Sequence, residues 1–336
     1  MKKVQLIFFL GIILFLSACG KATSGNDTTS GESANAASGD YPSKPIEILV
    51  PFEPGGSTDT AARVLAKYLP KYLPNEVDIV VVNQAGAGGT IAATNLYHAE
   101  PDGYTLELAT HRSIAMQPLY GETEYQHDSF QPIGKVMTNQ QVLVVSADAP
   151  YDTFEEWMKY VKNNPGEFKY GVSGGIGSGS HLPMAELSDM AGLEMEPIAF
   201  DGTSPAMTAL LGGNIDGAVG QPDSVKGFVE EGDMKIIFNA ASTPIPYAED
   251  VPLLIDEGFD IAYDSNASLL APEELPEEII DILSGALEEA LQDPDVQAEL
   301  EAANIQIDHK GPDGVQEELN EENAKIKNVL EGLGII

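Results

Sequence analysis

The chain is short of cysteine, tryptophan and positive charge. It has one Cys, one Trp and 17 Lys plus Arg in 336 residues, against 53 Asp plus Glu. Each shortage excludes something. A lone thiol, Cys19, allows no internal disulfide and no cysteine-based zinc site. A formal net charge of −36 leaves no positive footprint for a nucleic acid and no electrostatic hold on anionic lipid. The His residues (His98, His111, His127, His181 and His309) are scattered without ligand spacing, so no metal site is expected. No Walker or dinucleotide fingerprint accompanies any glycine-rich loop, so no cofactor is expected. The most apolar stretch, Val4 to Leu16, is about 13 residues long, short of the roughly 20 that a membrane-spanning helix needs.

What is present begins with that stretch. Lys2 and Lys3 precede it, and Leu16-Ser17-Ala18-Cys19-Gly20 follows. A basic start, an apolar run and small residues read as an export signal over 1–18. The small residues before a single Cys resemble a bacterial lipobox, with Cys19 as a lipid-modified N-terminus anchored at the outer face of the cell membrane. The alternative is a plain signal peptide beside a buried free Cys. Residues 19–40 are rich in Ser, Thr, Gly, Ala and Asn and have no apolar period, which reads as a flexible tether. A random coil of that length reaches about 25 Å on average.

From Tyr41 the pattern changes to strands alternating with helices. Ile46–Val50 reads as a strand, 51–57 as a turn, and Thr58–Leu69 as a helix with Ala61, Val64, Leu65 and Tyr68 on one side. The unit recurs in kind at 78–98 and 168–190, and again from 196 onward. The expected class is α/β, with mostly parallel sheets in more than one domain.

Four Gly/Ser/Thr loops fall at strand-to-helix junctions: Pro54–Asp59, Gly86–Thr90, Ser173–Ser180 and Gly202–Ser204. In a parallel sheet such junctions share the carboxyl edge, where ligands bind. Each helix start offers unpaired N–H groups and about half a positive charge. The design suits an anion such as a carboxylate. Plain tight turns and capping would use the same residues.

The order of motifs then carries a resemblance. Tyr41-Pro42-Ser43-Lys44-Pro45-Ile46 leads into Val50-Pro51-Phe52-Glu53-Pro54-Gly55-Gly56-Ser57-Thr58-Asp59. Gly86-Ala87-Gly88-Gly89, Pro101-Asp102-Gly103-Tyr104, Asn164-Pro165-Gly166 and Leu210-Leu211-Gly212-Gly213 follow. From about residue 41 onward the chain resembles the solute receptors of tripartite tricarboxylate transporters, the Bug or TctC-like family. The resemblance implies a type II-like periplasmic-binding-protein fold of two α/β lobes, crossed twice by the chain. Lobe 1 would combine 41–140 with 262–336, lobe 2 would be 141–261, and the ligand would lie between them. It implies an extracytoplasmic receptor, monomeric and not an enzyme. By hinge closure it would capture a small di- or tricarboxylate or related organic acid and deliver it to a membrane permease. Carried over, the ligand-binding positions are Pro54, Gly55, Gly56, Ser57, Thr58, Asp59, Ala87, Gly88 and Gly89, with Ser173, Gly174, Ser178, His181, Gly202 and Thr203 from lobe 2.

Some positions depart from the family pattern. Where members often carry Thr-His-Ala, this chain has Thr110-His111-Arg112-Ser113, so Thr110 and Arg112 join the candidate site. Arg112 would clamp a second carboxylate or stand exposed after a strand. Gly220 replaces a common Asp, and Glu53 would repel an anion unless it faces solvent. Two other functions fit the same residues. One is a sensing receptor with this fold and pocket. The other is a serine hydrolase, because Gly171-Val172-Ser173-Gly174-Gly175 matches a nucleophile elbow after a strand.

Overall fold

The computed structural model describes residues 41–173, 176, 178–200 and 202–336; the leader, Cys19, the tether and Gly174 lie outside the described residues. In chain order the strands are β1 (Ile46–Val50), β2 (Ile79–Asn83), β3 (Thr105–Thr110), β4 (Phe130–Thr138), β5 (Val142–Ser146), β6 (Phe168–Ser173), β7 (Met195–Phe200), β8 (Gly217–Gly220), β9 (Met234–Asn239), β10 (Ala267–Pro272) and β11 (Gln306–Ile307). The α-helices are α1 (Ser57–Tyr68), α2 (Thr90–Tyr97), α3 (Phe154–Asn163), α4 (Leu182–Ala191), α5 (Thr203–Leu211), α6 (Pro222–Glu230), α7 (Glu277–Gln292), α8 (Pro294–Ala302) and α9 (Pro312–Gly332).

Two sheets organise these elements, in the orders β11-β4-β10-β3-β1-β2 and β7-β6-β8-β5-β9. β1 runs parallel to β2 and β3, and β6 runs parallel to β7 and β8. The expectation of mostly parallel sheets needs correcting, because β10, β11, β5 and β9 all enter antiparallel pairings. The chain passes from β4 in one sheet to β5 in the other through Asn139–Gln141 alone.

Each sheet is buried on both faces, which is why its strands lack a clean polar alternation. Ile46, Ile48 and Val50 of β1 pack with Ala61 and Leu65 of α1 and Leu283 of α7. The intervening Leu49 packs with Ala92 and Leu96 of α2 and Val315 of α9. In β5, Leu143 and Val145 join Trp157 of α3, while Val142 and Val144 join Ala206 and Leu210 of α5. Local signals set the helix starts. Thr153 Oγ1 accepts from Glu156 N at 3.2 Å while Glu156 Oε2 accepts from Asp152 N at 2.8 Å, a reciprocal cap that satisfies donors at the start of α3.

Backbone bonds tie the two chain crossings together. Asn139 N donates to Ser265 O at 3.1 Å and Ser265 N returns a bond to Asn139 O at 2.7 Å. Ala240 N reaches Gln141 O at 2.7 Å, and Tyr263 N reaches Ala240 O at 2.7 Å. α9 reinforces this neck: its Val315 and Leu319 pack beside the first sheet, its Ile326 and Leu330 with the core of the second.

Candidate functional site

The carboxyl ends of the parallel strands face a cavity of about 670 Å3, inside the range that small-molecule sites occupy. From the first sheet it is lined by Gly56, Ser57 and Thr58 at the start of α1, by Gly86, Ala87 and Gly88 before α2, and by Thr110 and Arg112 after β3. From the second it is lined by Ser173, Ile176, Ser178 and Gly179 after β6, by Gly202 and Thr203 at the start of α5, and by Gly220 and Gln221 at the start of α6. Three helices, α1, α5 and α6, therefore begin at the cavity, with the turn that leads into α2 beside them, and none of their N-caps uses a side chain to satisfy the first-turn amides. Unpaired first-turn amides and aligned peptide dipoles make a helix start favourable for negative charge. Among the described lining residues none is Asp or Glu, in a chain with 53 of them, and Arg112 carries the one formal charge.

Backbone geometry explains the small residues. Gly86, Ala87, Gly88 and Gly89 all have positive φ, at 131°, 48°, 64° and 97°. Positive φ at four successive positions favours glycine and makes a tight turn, in which Gly89 N donates to Gly86 O at 3.0 Å. A side chain at Gly88 would also meet Gln117, and one at Gly89 would meet Ser113 and Pro51.

Asp59 holds the neighbouring loop in place. It is 3% exposed and accepts from Gly55 N, Arg63 Nε, Arg63 Nη2 and Asn83 Nδ2, each at 2.9 Å. Asn83 also donates to Phe52 O at 3.0 Å. Burial alone would raise the Asp59 pKa; the bonds from Arg63, Asn83 and Gly55 outweigh it and hold the carboxyl below the usual carboxylate range. Its oxygens thus stitch the β1–α1 loop to the end of β2.

The two halves also touch at the rim. Ser57 Oγ donates to Gln221 Oε1 at 3.4 Å, and Gln221 Nε2 donates to Ser265 Oγ at 3.2 Å. Ser173 Oγ donates to Ser180 Oγ at 3.4 Å, which in turn bonds Ser173 O at 2.7 Å and pairs with Ser178 Oγ at 3.1 Å. The hydrolase alternative fails here on geometry. α4 begins at Leu182, nine residues beyond Ser173, so the sharp strand-to-helix elbow that would present a nucleophile is missing.

Of the positions expected from sequence, Gly56, Ser57, Thr58, Ala87, Gly88, Thr110, Arg112, Ser173, Ser178, Gly202 and Thr203 come together at the cavity. Pro54, Gly55, Asp59, Gly89 and His181 are not among its described lining residues. Glu53 is exposed and outside it. Gly220 does line it, and a Cβ there would press on Met207, Val225 and Thr203, so packing keeps that position small. Sequence reasoning missed the apolar wall of Phe52, Met116, Tyr120 and Met137, and the polar groups of Gln117, Gln141, Gln221 and Ser265. A strand ending in Gly220-Gln221-Pro222 was a readable signal for Gln221, since Pro suits the first turn of a helix. Met116, Gln117 and Tyr120 sit in and just after a π-helical turn that no sequence pattern marks.

Comparison with known proteins agrees with this arrangement. The family model described as "Tripartite tricarboxylate transporter family receptor" matches residues 61–335. The Agrobacterium vitis "UPF0065 protein in the TAR-I ttuE-ttuC' intergenic region" is 32% identical over 301 residues, covering 88% of this chain and 86% of the relative. A TctC solute-binding protein from Polaromonas, solved with no ligand, superposes with a TM-score of 0.75 at 30% identity, covering 87% of this chain and 99% of that one. MatC from Rhodopseudomonas palustris, solved with bound malate, superposes with a TM-score of 0.72 at 28% identity, covering 86% of this chain and all of that one, 100%. Receptors of this kind bind solutes and are not enzymes. Two mixed α/β sheets, a cavity with no Asp or Glu among its described lining residues and a family match over most of the chain lead to one assignment: the protein belongs to the tripartite tricarboxylate transporter receptor family.

Proposed function

We propose that this chain captures a small organic acid outside the cytoplasm and hands it to a membrane permease. The observation that carries the reading is the cavity itself. Three helix starts without side-chain caps line it, and no acidic residue lines it among those described, although the chain as a whole is strongly acidic. Fixed dipoles at contact distance bind an anion better than mobile charges do, because they need no reorganisation. The malate complex of MatC supports a carboxylate as the ligand class.

The mechanism is closure of two lobes, 41–140 with 262–336 and 141–261, about the neck at 139–141 and 263–265. A ligand that touches both lobes favours the closed state by its differential contacts. Lipidated Cys19 and the tether 19–40 hold the receptor at the outer face of the membrane, within reach of the permease, as a monomer. Among the described residues no helix is long and apolar enough to cross a membrane.

The test is calorimetric titration of the purified chain with mono-, di- and tricarboxylates, aromatic acids, and neutral controls such as nicotinamide and sugars. Heat with particular carboxylates alone is the expected result. A saturating acid, at about 100 times its dissociation constant, also stabilises the fold by about 2.7 kcal/mol, readable as a higher melting temperature. Binding confined to neutral compounds overturns the anion cavity.

A further inference from the structure

One cavity residue carries a charge that no described residue meets with a hydrogen bond or an ion pair. Arg112 follows β3 and His111, and its guanidinium extends over the backbone of Gly179 in the loop after β6. Its Nη2 is sealed from solvent and has no hydrogen-bond partner, and among the described residues no carboxylate lies within ion-pair distance of it. The nearest acid in the electrostatic sense is Glu322 on α9, but Glu322 Oε2 sits 3.2 Å from His111 Nδ1. Tyr263 also faces the guanidinium. A guanidinium does not shed its proton to escape such a place. Burying it without a partner is costly, and breaking even with the cost requires an anion and good geometry.

Gly179 gives the second observation. Its backbone is outside the left-handed region, so the conformation does not call for glycine. Room does: a Cβ at 179 would overlap Nε, Cζ and Cδ of Arg112. The side chain of the first half thus lies in a slot that the second half leaves open for it.

We propose that Arg112 and Gly179 together form the subsite for a second anionic group, so that the receptor selects a doubly charged acid and completes the subsite only when its two halves are closed. This rests on the carboxylate reading above and names the ligand class of that same cavity. The helix starts hold one carboxylate through neutral N–H groups. The guanidinium fork meets the other with two parallel charge-assisted bonds. Opening the cleft would lift Gly179 away and return the guanidinium to water, where its pull on the ligand falls steeply.

The experiment titrates the full chain with diacids and their monoamides, which keep the shape and remove one charge: succinate and succinamate, malate and malamate, glutarate and glutaramate, adipate and adipamate. The unsubstituted protein is expected to bind at least one diacid about tenfold to a hundredfold more tightly than its monoamide, as the loss of one charge-assisted contact implies. Arg112→Met is expected to bring that diacid down to the level of its monoamide while moving the monoamide about threefold or less. Arg112→Lys restores part of the difference, because it keeps the charge without the fork. Gly179→Ala acts like Arg112→Met. The unliganded Arg112→Met protein melts at or above the temperature of the unsubstituted chain, which a merely structural arginine would not allow. Equal affinity for diacid and monoamide, or an Arg112→Met variant that loses both alike, overturns the subsite and leaves the receptor reading intact. Failure of every acid to bind overturns the receptor reading, and this one with it.

Discussion

Glu107 lies at the centre of β3 and is wholly buried, with neither carboxylate oxygen bonded to any described partner. Its strand neighbours across the ladder are Leu49 and Leu270. Burial drives its pKa well above the ordinary 4.5, which favours the neutral acid in the folded protein. A raised folded-state pKa contributes stability that is fully present below the unfolded value and is lost as pH rises toward the folded one. Glu107→Met should therefore melt higher than the parent near pH 8. The gain is worth about 1–3 kcal/mol, a few degrees for a chain of this size. The gap should shrink as pH falls to 4. Thermal scans at pH 4, 6 and 8 check this, and a gap that ignores pH counts against it. Residue chemistry of this sort was hard to read beforehand. Asp59 looked like a ligand contact because it closes the Pro-Gly-Gly loop, and the structure spends its oxygens on Gly55, Arg63 and Asn83. The sequence could not say which way that carboxylate turns. The glycines and hydroxyls of the same loops were legible, because backbone approach and helix capping leave few residue choices.

At the scale of elements, the βα units with local signals were readable: β1 with α1, β2 with α2, β6 with α4. β4 was not. Its text, Phe130-Gln131-Pro132-Ile133-Gly134-Lys135-Val136-Met137-Thr138, carries Pro, Gly and Lys at positions that argue against an inner strand. Tertiary partners override that. Lys135 is 2% exposed, with Nζ 2.6 Å from Asp308 Oδ2 and 3.0 Å from Glu318 Oε1. Gly134 leaves room for Leu287 and for the backbone of Lys310. The charge of one strand is answered from β11's end and from α9, more than 170 residues later, and no local window contains both. Lys135 is buried but Asp308 is 38% exposed and Glu318 keeps Lys310, so Lys135→Ala should cost about 1–3 kcal/mol. Lys310, 2.6 Å from Glu318 and interacting electrostatically with Asp308, softens the loss on both sides. Urea unfolding of the variant checks the figure. A midpoint like that of the parent would mean that the pair contributes nothing.

For the whole molecule the governing quantity is the imbalance of 53 acidic against 17 basic residues. A body with that field should repel the anion its cavity accepts. The two effects separate by range. Surface repulsion is screened over a Debye length of about 30 Å at 10 mM salt and about 8 Å at 150 mM, whereas the helix starts and Arg112 act at contact. Salt should then raise the association rate of a bound dicarboxylate several-fold between those conditions and leave its dissociation rate nearly constant. This is the reverse of electrostatically steered capture, in which salt slows association. The same screening relieves self-repulsion, so the unliganded fold should also melt higher as salt is added. Rapid-mixing kinetics at about 10, 50 and 150 mM sodium chloride provide the test. An association rate that falls with salt would mean that Arg112 and the helix starts project a positive field beyond the cavity mouth, strong enough to overcome the charge of the whole chain. The receptor would then be steering its ligand by local charge placement, and the acidic exterior would have no part in capture.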